Sequence, residues 1–600
     1  MQPLLLAACL LACNSYATKT VYFSLTLTWE PAAPDGFERN IIKMNGQFPG
    51  PELVVDQGDD VEILVWNNMP NQTTIHFHGI DQIGTPWSDG VPGLSQRPIP
   101  PGETFLYRWN ANAYGSYFYH AHEQSQIVDG LFGPIYVRPP QGSETPFSLI
   151  TSDPAELRAI EKAELNTRPI LFSTWNHLTS SERIATAMST GLDTFCANSL
   201  LINGKGSSIC VPQAEINANT SPVALALLGN STYSDIGCLP APIASAGFPF
   251  NLSGLPDGVF AGCHPSTGEQ EILLVDPADK YARFDLTGVG QLSNIFSIDE
   301  HQMTVVAIDG RWVTPTPADA VQMSSGQRYS VVVKLDKPPA KYTIRSVSGD
   351  IAQIIQATGL LVYTNARNCS STVNKPFVTL GGSNATANTL FLNESKAIPF
   401  PPVAPSQDIA QTILLHIDNA GFSWKWLLDN ASFPIDLDES NPLLFNPSQA
   451  TTQPNLTISN QNGTWIDLVI QPLAPISPAH PIHKHSNKFF VVGSGLGLWN
   501  YSSVADAAKA LPAGTFNFVD PPVRDTFPTV ASIGTPGFLV LRYQSVNPGA
   551  FLLHCHIQDH LFGGMALALL DGVDGFPEVP GEYRFGNGVG GCIARPGKKY

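Results

Sequence analysis

Along most of the chain, apolar and polar residues alternate with a period of two. Val61-Glu62-Ile63-Leu64-Val65 and Trp465-Ile466-Asp467-Leu468-Val469 are clear examples. Side chains two apart on an extended chain share a face, so such runs predict half-buried strands. Gly (50) and Pro (51) are spread throughout without a repeating period, as turns joining many short strands require. One helix is predicted, from Pro154 to about Leu165, with Asp153 placed to cap it and Pro154 suited to its first position. It follows the first strand-rich block and marks a boundary near residue 150.

Three segments of this strand pattern align without gaps. They are Leu106–His122 (LYRWNANAYGSYFYHAH), Val540–His556 (VLRYQSVNPGAFLLHCH) and, more weakly, Val332–Ser348 (VVKLDKPPAKYTIRSVS). In the first two an Arg precedes a Gly, and a His-x-His begins five residues after that Gly. The third has Ser346 and Ser348 at the histidine positions and Val347 at the Cys555 position. The repeat predicts a tandem array of β-sandwich units whose middle member carries no ligands.

Composition narrows the setting. At 600 residues the chain is too long for a single core. Charged residues are only 14% and the formal net charge is -18, which argues against a polyanion-binding surface and so against a nucleic-acid partner. Residues 2–13 are almost wholly apolar, too short to span a bilayer, and precede the small-x-small triplet Ser15-Tyr16-Ala17. They predict a signal peptide over 1–17 and, with no later transmembrane run, a secreted protein. About eleven Asn-x-Ser/Thr sequons, among them Asn71, Asn230, Asn384, Asn455 and Asn500, fit a glycoprotein. Outside the leader and Cys555, six cysteines remain, and three disulfides are expected of an exported chain. Six cysteines allow fifteen pairings; proximity suggests Cys196–Cys210 and Cys238–Cys263, leaving Cys369 with Cys592.

Histidine carries the chemistry. Ten of the 14 lie in four clusters: His76-Phe77-His78, His120-Ala121-His122, His480-Pro481-Ile482-His483-Lys484-His485, and His554-Cys555-His556 with His560. On a strand, residues i and i+2 lie about 6.5 Å apart on one face, so each pair offers two imidazoles together. Neutral imidazole suits copper and zinc alike. Cys555 must point away from its two neighbours, so one tripeptide serves two sites, a thiolate site behind and a histidine-only cluster in front. His480, His560 and Met565 are spaced to complete the thiolate site as a blue-copper centre, with two imidazoles, one thiolate and a weak axial thioether. His177, His264, His301 and His416 lie outside the clusters and read as structural or surface residues.

The four motifs HFHG, YHAH, HPIHKH and HCHIQDHLFGGM, in this order and over essentially the whole mature chain, resemble the multicopper oxidase family. HPIHKHSNKFFVVGSGLGLWN and GGMALALLDGVDGFPEVPGEY are most similar to laccase-like enzymes of ascomycete fungi associated with pigment and polyketide pathways. The resemblance implies an all-β fold of three cupredoxin-like domains, over 18–145, 146–370 and 371–600. It implies four copper ions. His480, Cys555, His560 and axial Met565 would hold type 1; His76 and His483 type 2; His78, His120 and His556 one type 3 ion; His122, His485 and His554 the other. It implies one-electron oxidation of small phenolic or aromatic substrates coupled to four-electron reduction of O2 to water, with Cys555, His554 and His556 as the electron path. Asp89, in WSDG, matches a family acid near the cluster, whereas Gln558 stands where many relatives carry Asp or Glu, and Asp559 should point elsewhere. A Met ligand donates to copper and lowers its potential, so Met565→Leu should raise the potential in a redox titration. A ferroxidase, an ascorbate oxidase and an electron-transfer protein without oxygen chemistry are the competing readings; the first needs carboxylates near His480 or His560.

Overall fold

The computed structural model describes residues 19–589 apart from 367–370, 435–437, 453 and 475. The expected signal peptide and the Cys369–Cys592 pair lie outside these residues.

The alternating runs form strands that assemble as three two-sheet units. The first unit packs the four-stranded sheet containing Thr20–Ala32, Asp60–Asn67 and Thr104–Asn110 against the sheet containing Ile75–His78, Gly115–Ala121 and Phe132–Arg138. Leu25, Val61, Ile63, Val65, Ile75 and Phe77 fill the space between them. The middle unit is larger, with seven- and six-stranded sheets closing over Phe172, Phe284, Phe296, Val331 and Ile344. The last unit pairs six- and five-stranded sheets, and its core includes Leu468, Leu541, Leu553, Cys555 and Met565. Each strand contributes one apolar face, and each fully buried Leu, Ile, Val or Phe contributes roughly 1.5–3 kcal/mol. The fold is all-β with three cupredoxin-like units in tandem.

The predicted helix spans Pro154–Leu165, and Asp153 accepts a hydrogen bond from the Ala155 N–H. The repeat is real at the level of strand pairing. Gly115–Ala121 pairs with Ile75–His78, Gly549–Cys555 with Pro481–Lys484, and Lys341–Ser348 with Asn294–Ile298. In each unit an isoleucine lies opposite the middle residue of the tripeptide: Ile75 opposite Ala121, Ile482 opposite Cys555, Ile295 opposite Val347. The repeated arginines sit opposite acids on the neighbouring strand, Arg108 with Glu62 at 2.9 Å and Arg542 with Asp467 at 2.6 Å.

The disulfides differ from the expectation. Cys196 bonds Cys238 and Cys210 bonds Cys263. Proximity along the chain was the wrong guide. The paired strands Ser199–Ile202 and Lys205–Gly206 separate Cys196 from Cys210, and the turn ending at Cys238 bridges to Gln353, beside the segment bearing Cys196.

The middle and last units meet across a buried ionic network. Arg328 makes a two-pronged bond to Asp525 at 2.5 and 2.7 Å, and Arg524 holds Asp309 at 2.7 Å and Glu394 at 2.9 Å. Removing one partner of such a pair typically costs about 3–5 kcal/mol, because the other charge stays buried.

Candidate metal centre

Eight histidines converge where the first and last units face each other. His76 lies opposite His120, and His483 opposite His554, in adjacent strands. His122, His485 and His556 follow directly after strand residues. Rings from the two units interleave: His76 stacks on His485 and His78 on His483, each pair with centroids 3.8 Å apart. All are buried.

In seven of the eight rings, one nitrogen is held by an oxygen. His76 Nδ1 lies 2.6 Å from the Asp89 carbonyl, His483 Nδ1 2.8 Å from the Asp525 carbonyl, His120 Nδ1 2.9 Å from the Ala121 carbonyl and His554 Nδ1 2.8 Å from the Cys555 carbonyl. His485 Nδ1 meets the Asp89 carboxylate at 2.9 Å, and His556 Nδ1 meets Ser325 Oγ at 2.9 Å. His78 is reversed: its Nε2 faces Asp525 at 3.3 Å and Thr526 Oγ1 at 3.1 Å.

The remaining nitrogens point inward. Nε2 of His76, His120, His122 and His483 is buried without a partner. His485 and His554 bring Nε2 atoms within 3.2 Å of each other, and His78 Nδ1 lies 3.1 Å from His556 Nε2. Buried polar atoms are normally satisfied, so this many inward-facing lone pairs mark metal positions. His76, His78 and His120 offer nitrogens within 4.8 Å of one another, as do His122, His485 and His554, and also His76, His483 and His485. Burial, then the neighbouring imidazoles, holds His78, His122, His483, His485 and His556 well below the usual histidine range. His120 is likewise depressed, and burial pushes His554 down to about 4. Neutral rings of this kind are the form that ligates.

The second pocket lies behind Cys555. Its Sγ is 3.5 Å from His560 Nδ1 and 4.0 Å from His480 Nδ1, and those two nitrogens are 3.1 Å apart. The three donors form one ligand group, fully buried apart from His560 at 4% exposure. His560 is presented by the short helix Gln558–Phe562. Met565 is buried in the same apolar cluster as Cys555, and its carbonyl accepts the Cys555 N–H at 3.1 Å. Burial opposes charge on His560, but the sulfur of Cys555 and the carboxylate of Asp193 outweigh it and push the ring up to about 10. As expected, Cys555 and its two neighbours face opposite sides of the strand.

The acids divide. Asp89 is fully buried and holds both His485 and the His76 side of the cluster. Gln558 donates to the His556 carbonyl at 3.3 Å. Asp559 turns away to Arg183 at 2.5 Å. Four contributors were not legible in the sequence. Asp525 and Ser325 hold cluster histidines, Asp193 lies 3.2 Å from His560 Nε2, and Trp426 sets its ring 4.4 Å from that of His560. None belongs to a histidine motif, and Ser325 and Asp193 come from the unit without ligands. An acid three or four residues from no motif gives no local signal.

One thiolate with two imidazoles and a nearby thioether is a donor set for copper, and eight imidazoles suit copper as well. Comparison with known proteins agrees. Residues 26–142, 166–366 and 416–574 each match a multicopper oxidase family domain. The chain is 41% identical over 568 residues to the laccase abr2 of Aspergillus fumigatus, covering 93% of this chain and 96% of that protein. It is 40% identical to the multicopper oxidase VdtB of Byssochlamys spectabilis, covering 96% and 87%. Among solved structures, the laccase from Botrytis aclada superposes with a TM-score of 0.69 at 26% identity, covering 94% of this chain and 90% of that one. With two pockets built for copper and these similarities along its length, the chain belongs to the multicopper oxidases, in their laccase-like group.

Proposed function

We propose that this laccase-like oxidase acts on small electron-rich phenols of the aromatic polyketide class, coupling them oxidatively. His480, Cys555, His560 and Met565 would hold the type 1 copper. His76 and His483 would hold type 2; His78, His120 and His556 would hold one type 3 ion; His122, His485 and His554 would hold the other. When bound, copper supplies the one-electron acceptor and the site of O2 reduction. The observation that carries the reading is the Cys555 tripeptide, whose sulfur faces one pocket while His554 and His556 face the other. The backbone therefore joins electron entry to oxygen reduction through covalent bonds. Asp89 keeps a carboxylate against the cluster, where protons are consumed, and Gln558 supplies none. The substrate class is supported by the likeness of the His480–Asn500 and Gly563–Tyr583 stretches to ascomycete laccase-like enzymes.

Secretion is part of the same reading. It is supported by the apolar leader and by the exposure of Asn71, Asn230, Asn384, Asn455 and Asn500. Among the described residues no helix is long and apolar enough to cross a membrane.

A ferroxidase reading has one observation in its favour, the Asp193 carboxylate at His560. The neighbouring Asp559 is paired with Arg183, so it adds no free carboxylate beside Asp193. Oxygen uptake by the copper-loaded protein with a polyhydroxynaphthalene, Fe(II) and ascorbate decides between them. Faster uptake on the naphthol, with coupled products, is expected; preference for Fe(II) would overturn the substrate class.

A further inference from the structure

The middle unit holds no cluster ligand, yet one of its turns touches the cluster. Ser324-Ser325-Gly326-Gln327-Arg328 is buried throughout and enters the gap between the first and last units. Ser325 is 2% exposed, and its Oγ lies 2.9 Å from His556 Nδ1. Gly326 has φ +88, and a Cβ there would meet His78 Cε1 at 3.0 Å and His556 Cδ2 at 3.1 Å. The backbone thus lies flat against two ligand rings, where a side chain would push them. Arg328 then grips Asp525, whose Oδ1 faces His78 Nε2 at 3.3 Å, and Arg328 also donates to the Gly326 carbonyl at 3.0 Å. Through the Asp525 carbonyl this grip extends to His483 Nδ1, but the rings that the turn itself touches are His556 and His78. These two place Nε2 and Nδ1 3.1 Å apart, facing each other.

We infer that this turn of the middle unit is a positioning element for the His78 and His556 half of the copper cluster, with Ser325 as its principal residue. If Nε2 of His556 gives its lone pair to copper, the ring proton resides on Nδ1 and donates to Ser325 Oγ. That bond fixes both the tautomer and the ring plane, as hydrogen-bond partners of metal-bound histidine generally do. The other half of the cluster is served from the first unit, by Asp89 on His485.

The inference rests on the assignment of His78 and His556 to one copper. The test uses the full chain, copper-loaded, as the parent and as Ser325→Ala and Ser324→Ala. Ser324 adjoins Ser325 but bonds only within its own turn, through the Gln327 amide. Copper per chain is measured after dialysis against graded chelator, with the blue type 1 absorption as internal reference. Ser325→Ala should bind one copper about 10–100-fold more weakly. It should keep its blue absorption, while Ser324→Ala retains copper like the parent. Parent-like retention in Ser325→Ala, or equal loss in both variants, overturns the role of Ser325 alone. A parent without copper in the cluster overturns the site assignment, and the inference with it.

Discussion

The strands ending in His120-Ala121-His122 and His554-Cys555-His556 can be laid over the one ending in Ser346-Val347-Ser348. All three strands sit centrally in their sheets, with a neighbour on each side in matching register. Where His76 faces His120 and His483 faces His554, the middle unit sets Phe296 opposite Ser346. Ser346 Oγ donates to Asn294 Oδ1 at 3.1 Å, an ordinary buried hydrogen bond. Strand pairing alone therefore makes no metal site. It makes a place where two side chains meet, and residue identity decides whether lone pairs are left over or consumed.

The severest disruption of this contrast is Cys555→Ser. The side chain is fully buried and the change is nearly isosteric, so the fold should survive. Blue absorption should vanish and oxygen uptake fall to background, while the eight cluster histidines still bind copper. Persistent blue absorption in this variant would remove Cys555 from the ligands.

Asp89→Asn is milder. It keeps an oxygen near His485 but removes the charge that orients it. Oxygen uptake or cluster copper affinity should drop about 10–100-fold. An unchanged chelator titration and unchanged turnover would show that Asp89 merely fills space.

Acidity separates the two kinds of strand end in the copper-free protein. His78, His120, His122, His483, His485, His554 and His556 have depressed folded values, so the unfolded chain takes up protons first as pH falls below about 6.5. Stability present above that pH should be lost progressively down through the value of about 4 reached by His554. Each such group contributes at most about 1.4 kcal/mol per pH unit in that window. Unfolding midpoints from pH 7 to 4 read the effect, and copper should remove it by keeping protons off the rings; a flat copper-free profile would contradict the burial argument.

Ser346→Ala should do least. Losing one buried hydrogen bond costs about 1 kcal/mol, and copper content should not change. A lowered copper count would mean that this strand end also reaches the metal.

The sequence was informative where chemistry is local. Strand alternation, the capped helix, the Arg-to-Gly-to-His spacing and the opposed faces of His554 and Cys555 all follow from neighbours along one chain. Asp525, Ser325 and Asp193 were hidden because their partners lie far away in sequence; the Asp525 and His78 positions are separated by 447 residues. The disulfides failed for the same reason. Cys196 and Cys210 are close in sequence, but the intervening chain directs them to different partners.

The sharing of the cluster between the first and last units also sets an order of events. A chain leaving the ribosome carries His76, His78, His120 and His122 long before the matching four histidines exist. Domains generally fold as they are made, N-terminal first. The first unit must therefore wait with half a set of donors while the middle unit folds behind it. Metal capture is thereby deferred to the end of biogenesis, and a chain truncated before its last strands has no complete oxygen-reducing centre to charge.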